Sequence, residues 1–335
     1  MRRAAWPALA LVAGVLLAGT PGIAPAVPAE PGLGIRLVDV PTAEADNPRA
    51  RSYIIDHLRP GSVIERRLEV SNGTGDRADV QMYAAAATVT DDGFVGAAGR
   101  TANDLSSWTT VDADRSDLAP GEDTTAHVTI RVPADAPRGE RYAVVWAAVQ
   151  GAPSAPGGVV QVSRVGVRIY LSVGPGGGPT TDFDVASLTA ARTQAGVPEV
   201  HVTVRNTGGR ALDLRGSLTL KDGPGGLSAG PVTVPARTTL AIGGTRDVVI
   251  PLDPRLPEGP WSAKVTIASG TLRHSARATI TFPTAADTEA APVPVDPGLL
   301  GDRRLALLAG LVVVGALVGL LLRRRRRRRV TTGAP

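Results

Sequence analysis

The 335-residue chain has no cysteine, two methionines, only two lysines (Lys221 and Lys264) and few aromatic residues. Without thiols there are no disulfides, thiolate metal sites or cysteine nucleophiles. With four Trp, four Tyr and three Phe in all, each ring is a specific candidate for a core or a contact surface. A basic body is missing too. The formal net charge of +5 suggests phosphates, but Arg2, Arg3 and the seven C-terminal arginines make up nine of the 36 basic residues, leaving 27 against 31 acidic ones. The body is acidic, and no nucleic-acid partner is expected. Neither an H-E-x-x-H motif, a glycine-rich phosphate loop nor a sortase signal L-P-x-T-G occurs. His57, His127, His201 and His274 lack metal-ligand spacing, and Asp112, Asp114 and Asp117 lack the glycine and distal glutamate of an EF-hand loop. Gly226-Leu227-Ser228-Ala229-Gly230 fits G-x-S-x-G, but Pro231 stands where the helix of a nucleophile elbow should begin. No catalytic residue, metal or cofactor is expected.

Each end of the chain carries a targeting pattern. Residues 1–26 read as a signal peptide: Arg2-Arg3, a short apolar stretch, then Ala24-Pro25-Ala26. Cleavage after Ala26 fits, as does cleavage after Ala29. Leu305–Leu322 is 18 residues without a charge, about 27 Å as a helix against a hydrocarbon core of ~30 Å. Arg323, Arg324, Arg325, Arg326, Arg327, Arg328 and Arg329 follow directly. Each would cost roughly 2.5–3.5 kcal/mol at mid-bilayer, so the run is topogenic and its tail, 323–335, is expected to stay cytoplasmic. Arginine in place of lysine, with abundant Ala, Gly and Pro, is the bias of a GC-rich bacterial genome. The expected location is a bacterial cell membrane, crossed once, with everything before the span outside.

Between the ends, short alternating or β-branched runs broken by Gly, Pro, Asn and Asp predict an all-β fold of two tandem immunoglobulin-like β-sandwiches plus one C-terminal transmembrane α-helix. The first sandwich is placed at 33–173, with strands at Gly34–Val40, Val63–Ser71, Ala78–Thr90, Thr124–Val132, Arg141–Val149 and Val159–Val173. GPGGGP marks a linker at 174–180. Seven strands between Asp182 and Phe282 predict the second sandwich, 181–283, before a Pro/Ala-rich stalk at 284–304. The halves repeat: LEVSNGTGDRADV aligns with VTVRNTGGRALDL, bringing Asn72 onto Asn206, Gly75 onto Gly209 and Asp79 onto Asp213. Both asparagines are assigned to turn geometry. Asn72-Gly73-Thr74 also spells a glycosylation sequon.

Trp146 and Trp261, in matching late strands, are expected to fill the two cores. Trp108 either packs at a core edge or stacks on a sugar. With SYIIDHLRPG, the NDLSSWTTV stretch supplies the ligand-binding candidates Tyr53, His57, Asn103 and Trp108.

HLRPGSVIERRLEVSNGTGDRADV, SSWTTV, LAPGE, VTIRVPADAPRGERYAVVW, the paired domains and the LALLAGLVVV…RRRRRRR end together resemble the WxL-interacting proteins of Gram-positive cell surfaces, in an actinobacterial-type member. The resemblance implies a first domain that binds cell-wall peptidoglycan and a second that docks another surface protein. It transfers no ligand residue. The alternative is an adhesive or chaperone-like sandwich pair that captures protein strands at an open edge, without affinity for wall.

Overall fold

The computed structural model describes residues 32–90, 93–151 and 160–297. The signal segment, the span Leu305–Leu322 and the seven arginines Arg323–Arg329 lie outside them. Among the described residues no helix is long and apolar enough to cross a membrane.

The first sandwich contains β1 (Leu33–Leu37), β2 (Ile54–Leu58), β3 (Val63–Asn72), β4 (Ala78–Thr90), β5 (Gly93–Gly96), a one-turn helix α1 (Asp104–Ser107), β6 (Thr109–Val111), β7 (Arg115–Leu118), β8 (Asp123–Arg131), β9 (Gly139–Gln150) and β10 (Val162–Val173). One sheet runs β1-β3-β8-β6 and the other β2-β10-β9-β4-β5, with β7 also on β4. Period-2 alternation sends Leu68 and Val70 of β3 and Ala126, Val128 and Ile130 of β8 inward, against Ala143, Val145, Ala147, Val167 and Ile169 of the facing sheet. All pairings are antiparallel except β2, which lies parallel to the end of β10 from Ile54–Ile169 to Leu58–Val173.

The second sandwich contains β11 (Phe183–Arg192), β12 (Pro198–Asn206), β13 (Leu212–Lys221), β14 (Ala229–Leu240), β15 (Thr245–Pro251), β16 (Gly259–Ser269) and β17 (Leu272–Phe282). These seven occupy the seven predicted positions. Three two-residue strands follow: β18 (Thr288–Glu289), β19 (Val293–Pro294) and β20 (Asp296–Pro297). The sheets are β15-β12-β11-β18, with β19 also on β11, and β14-β13-β16-β17-β20. The predicted stalk is therefore not free-standing as far as Pro297. Ala290, Val293 and Val295 give it enough apolar surface to lie against the core.

The sequence repeat has a common physical basis. Asn72 and Asn206 are buried, and each side-chain amide ties its own turn to a second one. Nδ2 of Asn72 donates to the carbonyls of Asp76 (2.8 Å), Leu118 (3.0 Å) and Ala119 (3.2 Å). Nδ2 of Asn206 donates to those of Arg210 (2.8 Å) and Ala241 (2.9 Å). Their Oδ1 atoms accept the backbone N–H of Thr74 and Gly208, both at 3.0 Å. This burial and bonding close Asn72 to a glycan.

Trp261 is a core residue at 1% exposure, but Trp146 is not. In β16 the inward positions are Trp261, Ala263, Val265 and Ile267; in β9 they are Ala143, Val145 and Ala147. Trp146 has the opposite parity, and in a strand one residue's shift changes the face. Its indole lies on the outer side of the first sandwich.

Candidate functional site

The outer faces of β9 and β16 differ in chemistry. Ser262 and Lys264 of β16 are exposed. In β9 the outward Val144 and Ala148 are buried with Tyr83 and Ala85 of β4, and Trp146 and Phe94 pack on them. A strand covered on both faces has a continuous apolar run, and AVVWAAV and the AAAA of β4 are such runs. The cover is the β4–β5 hairpin, which folds back over the sheet. Its Phe94 ring lies 5.3 Å from that of Tyr170 and 6.5 Å from that of Tyr142, and the carbonyl of Ala97 just beyond it accepts Nη1 of Arg164 at 3.1 Å.

Between this hairpin, the sheet and β1 lies a groove of about 570 Å³, lined by Leu33, Gly34 and Ile35 on one side and by Phe94, Gly96, Val144, Trp146, Arg164, Val165, Gly166 and Arg168 on the other. Trp146 lies flat because its neighbours lack side chains. A Cβ on Gly96 or Gly166 would stand 2.6 Å from the indole. The Arg164 guanidinium sits 4.1 Å above the indole centroid, a cation–π contact. Trp146 Nε1 is buried and has no hydrogen-bond partner. The backbone beside the groove is half paired: β10 bonds β9 along its whole length, while β2 covers its other edge only from Ile169 onward. Among the described residues no strand pairs with that edge over 162–168.

At its inner end the groove meets the domain junction, through Arg168. This guanidinium packs on the rings of Phe94 (4.7 Å) and Tyr53 (5.2 Å). Its Nη1 also reaches Oδ1 of Asp213 (3.3 Å) and Oγ1 of Thr239 (3.2 Å) in the second sandwich. Asp213 takes further bonds on the same carboxylate from Tyr170 OH (3.1 Å), Thr239 Oγ1 (2.7 Å) and Arg49 Nε (2.7 Å). Beside it, Glu140 Oε2 accepts Tyr142 OH at 2.6 Å and, across the junction, the Ala211 N–H at 2.7 Å. Burial pushes the Glu140 carboxyl and the Tyr142 and Tyr170 phenols upward from their usual ranges. The phenols stay protonated, and so act here as hydrogen-bond donors.

The four sequence candidates fall in separate surroundings. Tyr53 belongs to the junction, its ring 5.7 Å from that of Tyr170. His57, on β2, abuts linker residues Gly174 and Gly178, and both its ring nitrogens are buried and unpartnered. Asn103 caps α1: Oδ1 accepts the Ser106 N–H at 2.9 Å, and Nδ2 donates to the Tyr142 carbonyl at 2.8 Å. Trp108 packs at the edge of the core, with Arg141 over its ring at 5.0 Å. Asp112 bonds His127, Asp117 pairs with Arg77, and Ser228 lies exposed in the turn before β14. Arg49, Arg168 and Asp213 come together from a loop and two sandwiches, and Arg164 lines the same groove as Arg168. No motif spacing announces them; the two apolar runs were the one available signal.

No family model matches the chain, and no curated protein matches it. Solved structures do overlay on it. A chain of the Salmonella enterica SafA pilin in complex with the SafB chaperone is 11% identical, with 74% of this chain and 97% of that one covered at a TM-score of 0.38. The E. coli chaperone DraB is 14% identical, with 69% and 93% covered at 0.35. The Class 5 fimbriae chaperone CfaA is 10% identical, with 69% and 97% covered at 0.34. Overlays this loose carry no argument about what the chain does; over its described residues the chain is nearly all β, in paired sandwiches.

Proposed function

We propose that the chain is a non-enzymatic surface binding protein, held in the membrane by residues 305–322, whose first sandwich captures an extended segment of a protein partner along the open side between β1 and β10. The observation that carries this reading is the edge at 162–168, which no strand among the described residues pairs, lying beside a formed groove. An added strand would gain main-chain hydrogen bonds from the edge and side-chain contacts from the groove, the β-augmentation mode of recognition. Exposed apolar side chains on that stretch, such as Val162 at 50%, are what an isolated edge normally avoids. Peptidoglycan binding by the first sandwich is the competing proposal. Its aromatic candidates have less to offer a sugar, since Trp108 and Trp146 each already carry an arginine over the ring.

A photo-crosslinking residue at Val162 of the membrane-anchored protein separates the two in producing cells, with exposed Val249 of the second sandwich as the control. Strand capture predicts peptide adducts at 162, absent at 249 and suppressed by Val165→Trp, which fills the groove from its wall. Muropeptide adducts at 162 would transfer the site to the wall. Equal labelling at 162 and 249 would end the strand-capture reading.

A further inference from the structure

The groove contains two guanidiniums and no carboxylate. Its lining includes Arg164 and Arg168 but neither Asp nor Glu. Arg168 is committed to Asp213, Thr239 and Tyr170. Arg164 is not. Its hydrogen bond goes to the neutral carbonyl of Ala97, its plane stacks on Trp146, and among the described residues no carboxylate pairs with it. Several other arginines of the first sandwich do find acids: Arg36 pairs with Glu69, Arg66 with Asp56, Arg67 with Asp39 and Arg115 with Asp79. An arginine held by an aromatic stack and left without an acid presents its planar fork of donors to whatever enters the groove.

The geometry points to Arg164 as a carboxylate-binding subsite of the groove. The occupant is an extended protein segment carrying one Asp or Glu side chain, with apolar side chains at the adjacent positions. Charge complementarity selects the acid. The apolar walls, Leu33 and Ile35 of β1 with Val165 of β10, lie toward the sandwich core, on the side opposite to Arg164, and select its i±1 neighbours, which point to the other face of a strand. Trp146 sets the height of the guanidinium, and glycines at 96 and 166 leave room for the indole. This specifies the partner of the strand-capture reading and rests on it.

The test is a selection of random 12-residue peptides from a display library on the full-length protein in detergent, repeated with Arg164→Gln and Arg164→Lys. The expected result is enrichment of one acidic position flanked by apolar or β-branched residues. Arg164→Gln should abolish it, and Arg164→Lys, which keeps the charge without the fork, should retain it in part. A synthetic Glu peptide from the enriched pool should bind about tenfold or more tighter than its Gln counterpart, the size of a charge-assisted bond. It should also slow amide exchange over 162–168. Peptides that protect 162–168 without acid preference, or an acid preference that survives Arg164→Gln, would overturn the carboxylate subsite and leave strand capture standing. No enrichment above background, or bound peptides that leave 162–168 unprotected, would overturn both. Purified muropeptides that bind wild type and lose affinity in Arg164→Gln would reassign the carboxylate to the wall.

Discussion

Replacing Asp213 by alanine removes the residue on which the junction converges. Arg49 Nε and Nη2 both stand 2.7 Å from its Oδ2, and the two side chains are only 10% and 11% exposed. Arg168, at 31%, approaches Oδ1 with Tyr170 and Thr239. Breaking a buried ion pair by deleting one partner costs roughly 3–5 kcal/mol, because the other charge stays behind without compensation. Set against about 5–15 kcal/mol for a typical domain, that is enough to uncouple the sandwiches. The absence of native cysteine makes the assay direct, since Val63→Cys and Val249→Cys, one exposed site on each sandwich, take up a fluorophore pair and nothing else does. Asp213→Ala should broaden the transfer-efficiency distribution and split a joint calorimetric transition in two. Pairing Asp213→Leu with Arg49→Met should recover much of the loss, since an apolar replacement strands no charge at Arg49. If Asp213→Ala melted within about 1 kcal/mol of wild type with an unchanged distance distribution, the junction would not be held by this carboxylate.

The other predictions concern the repeat, the pH response and one close approach. Asn72→Ala and Asn206→Ala should each lower stability by about 2–3 kcal/mol in chemical unfolding, since each strands buried carbonyls; a loss under 1 kcal/mol in both would dismiss the staple. Burial raises the folded pKa of Glu140, so its favourable contribution is complete below the unfolded value and is lost as pH rises through the folded one. The stability of wild type relative to Glu140→Gln should therefore be greatest in acid and decline toward neutrality; parallel curves for the two proteins would contradict this. Gly166→Val places its Cβ against the Trp146 indole and should shift tryptophan emission to the red while costing about 1–3 kcal/mol by overpacking.

The strands were most legible where one face is buried and the other wet. Val63–Asn72, Ala78–Thr90 and five of the seven strands of the second sandwich fall close to their sequence limits, whereas β14 runs on to Leu240 past an expected Pro231–Pro235 and β17 starts at Leu272 before an expected Arg277–Phe282. β2, β5, β6 and β7, at three to five residues, are too short to show a period, and the parallel partner of β2 is more than a hundred residues away. The repeat identified Asn72 and Asn206 but gave no sign that Asp79 and Asp213, also aligned, would diverge. Asp79 forms an exposed pair with Arg115, whereas Asp213 joins the domains. The difference comes from what lies opposite: the loop carrying Arg49 and the strand carrying Arg168 are distant in sequence from both aspartates. Trp146 was misplaced because its matching strand suggested a core, while a single step of parity put it under Arg164.

The parallel pairing of β2 with β10 also sets a timetable. β2 is among the first strands synthesised, yet its backbone bonds are completed by Ile169–Val173, the last five residues of the sandwich. Loops this long are slow to close. The growing chain must keep Ile54 and Ile55, buried in the finished fold, from other partners until β10 exists. Asp213 and Thr239 come later still, so Arg49 and Arg168 wait for a second domain to neutralise them. The first sandwich reaches its final form only after the polypeptide has grown well past its own boundary.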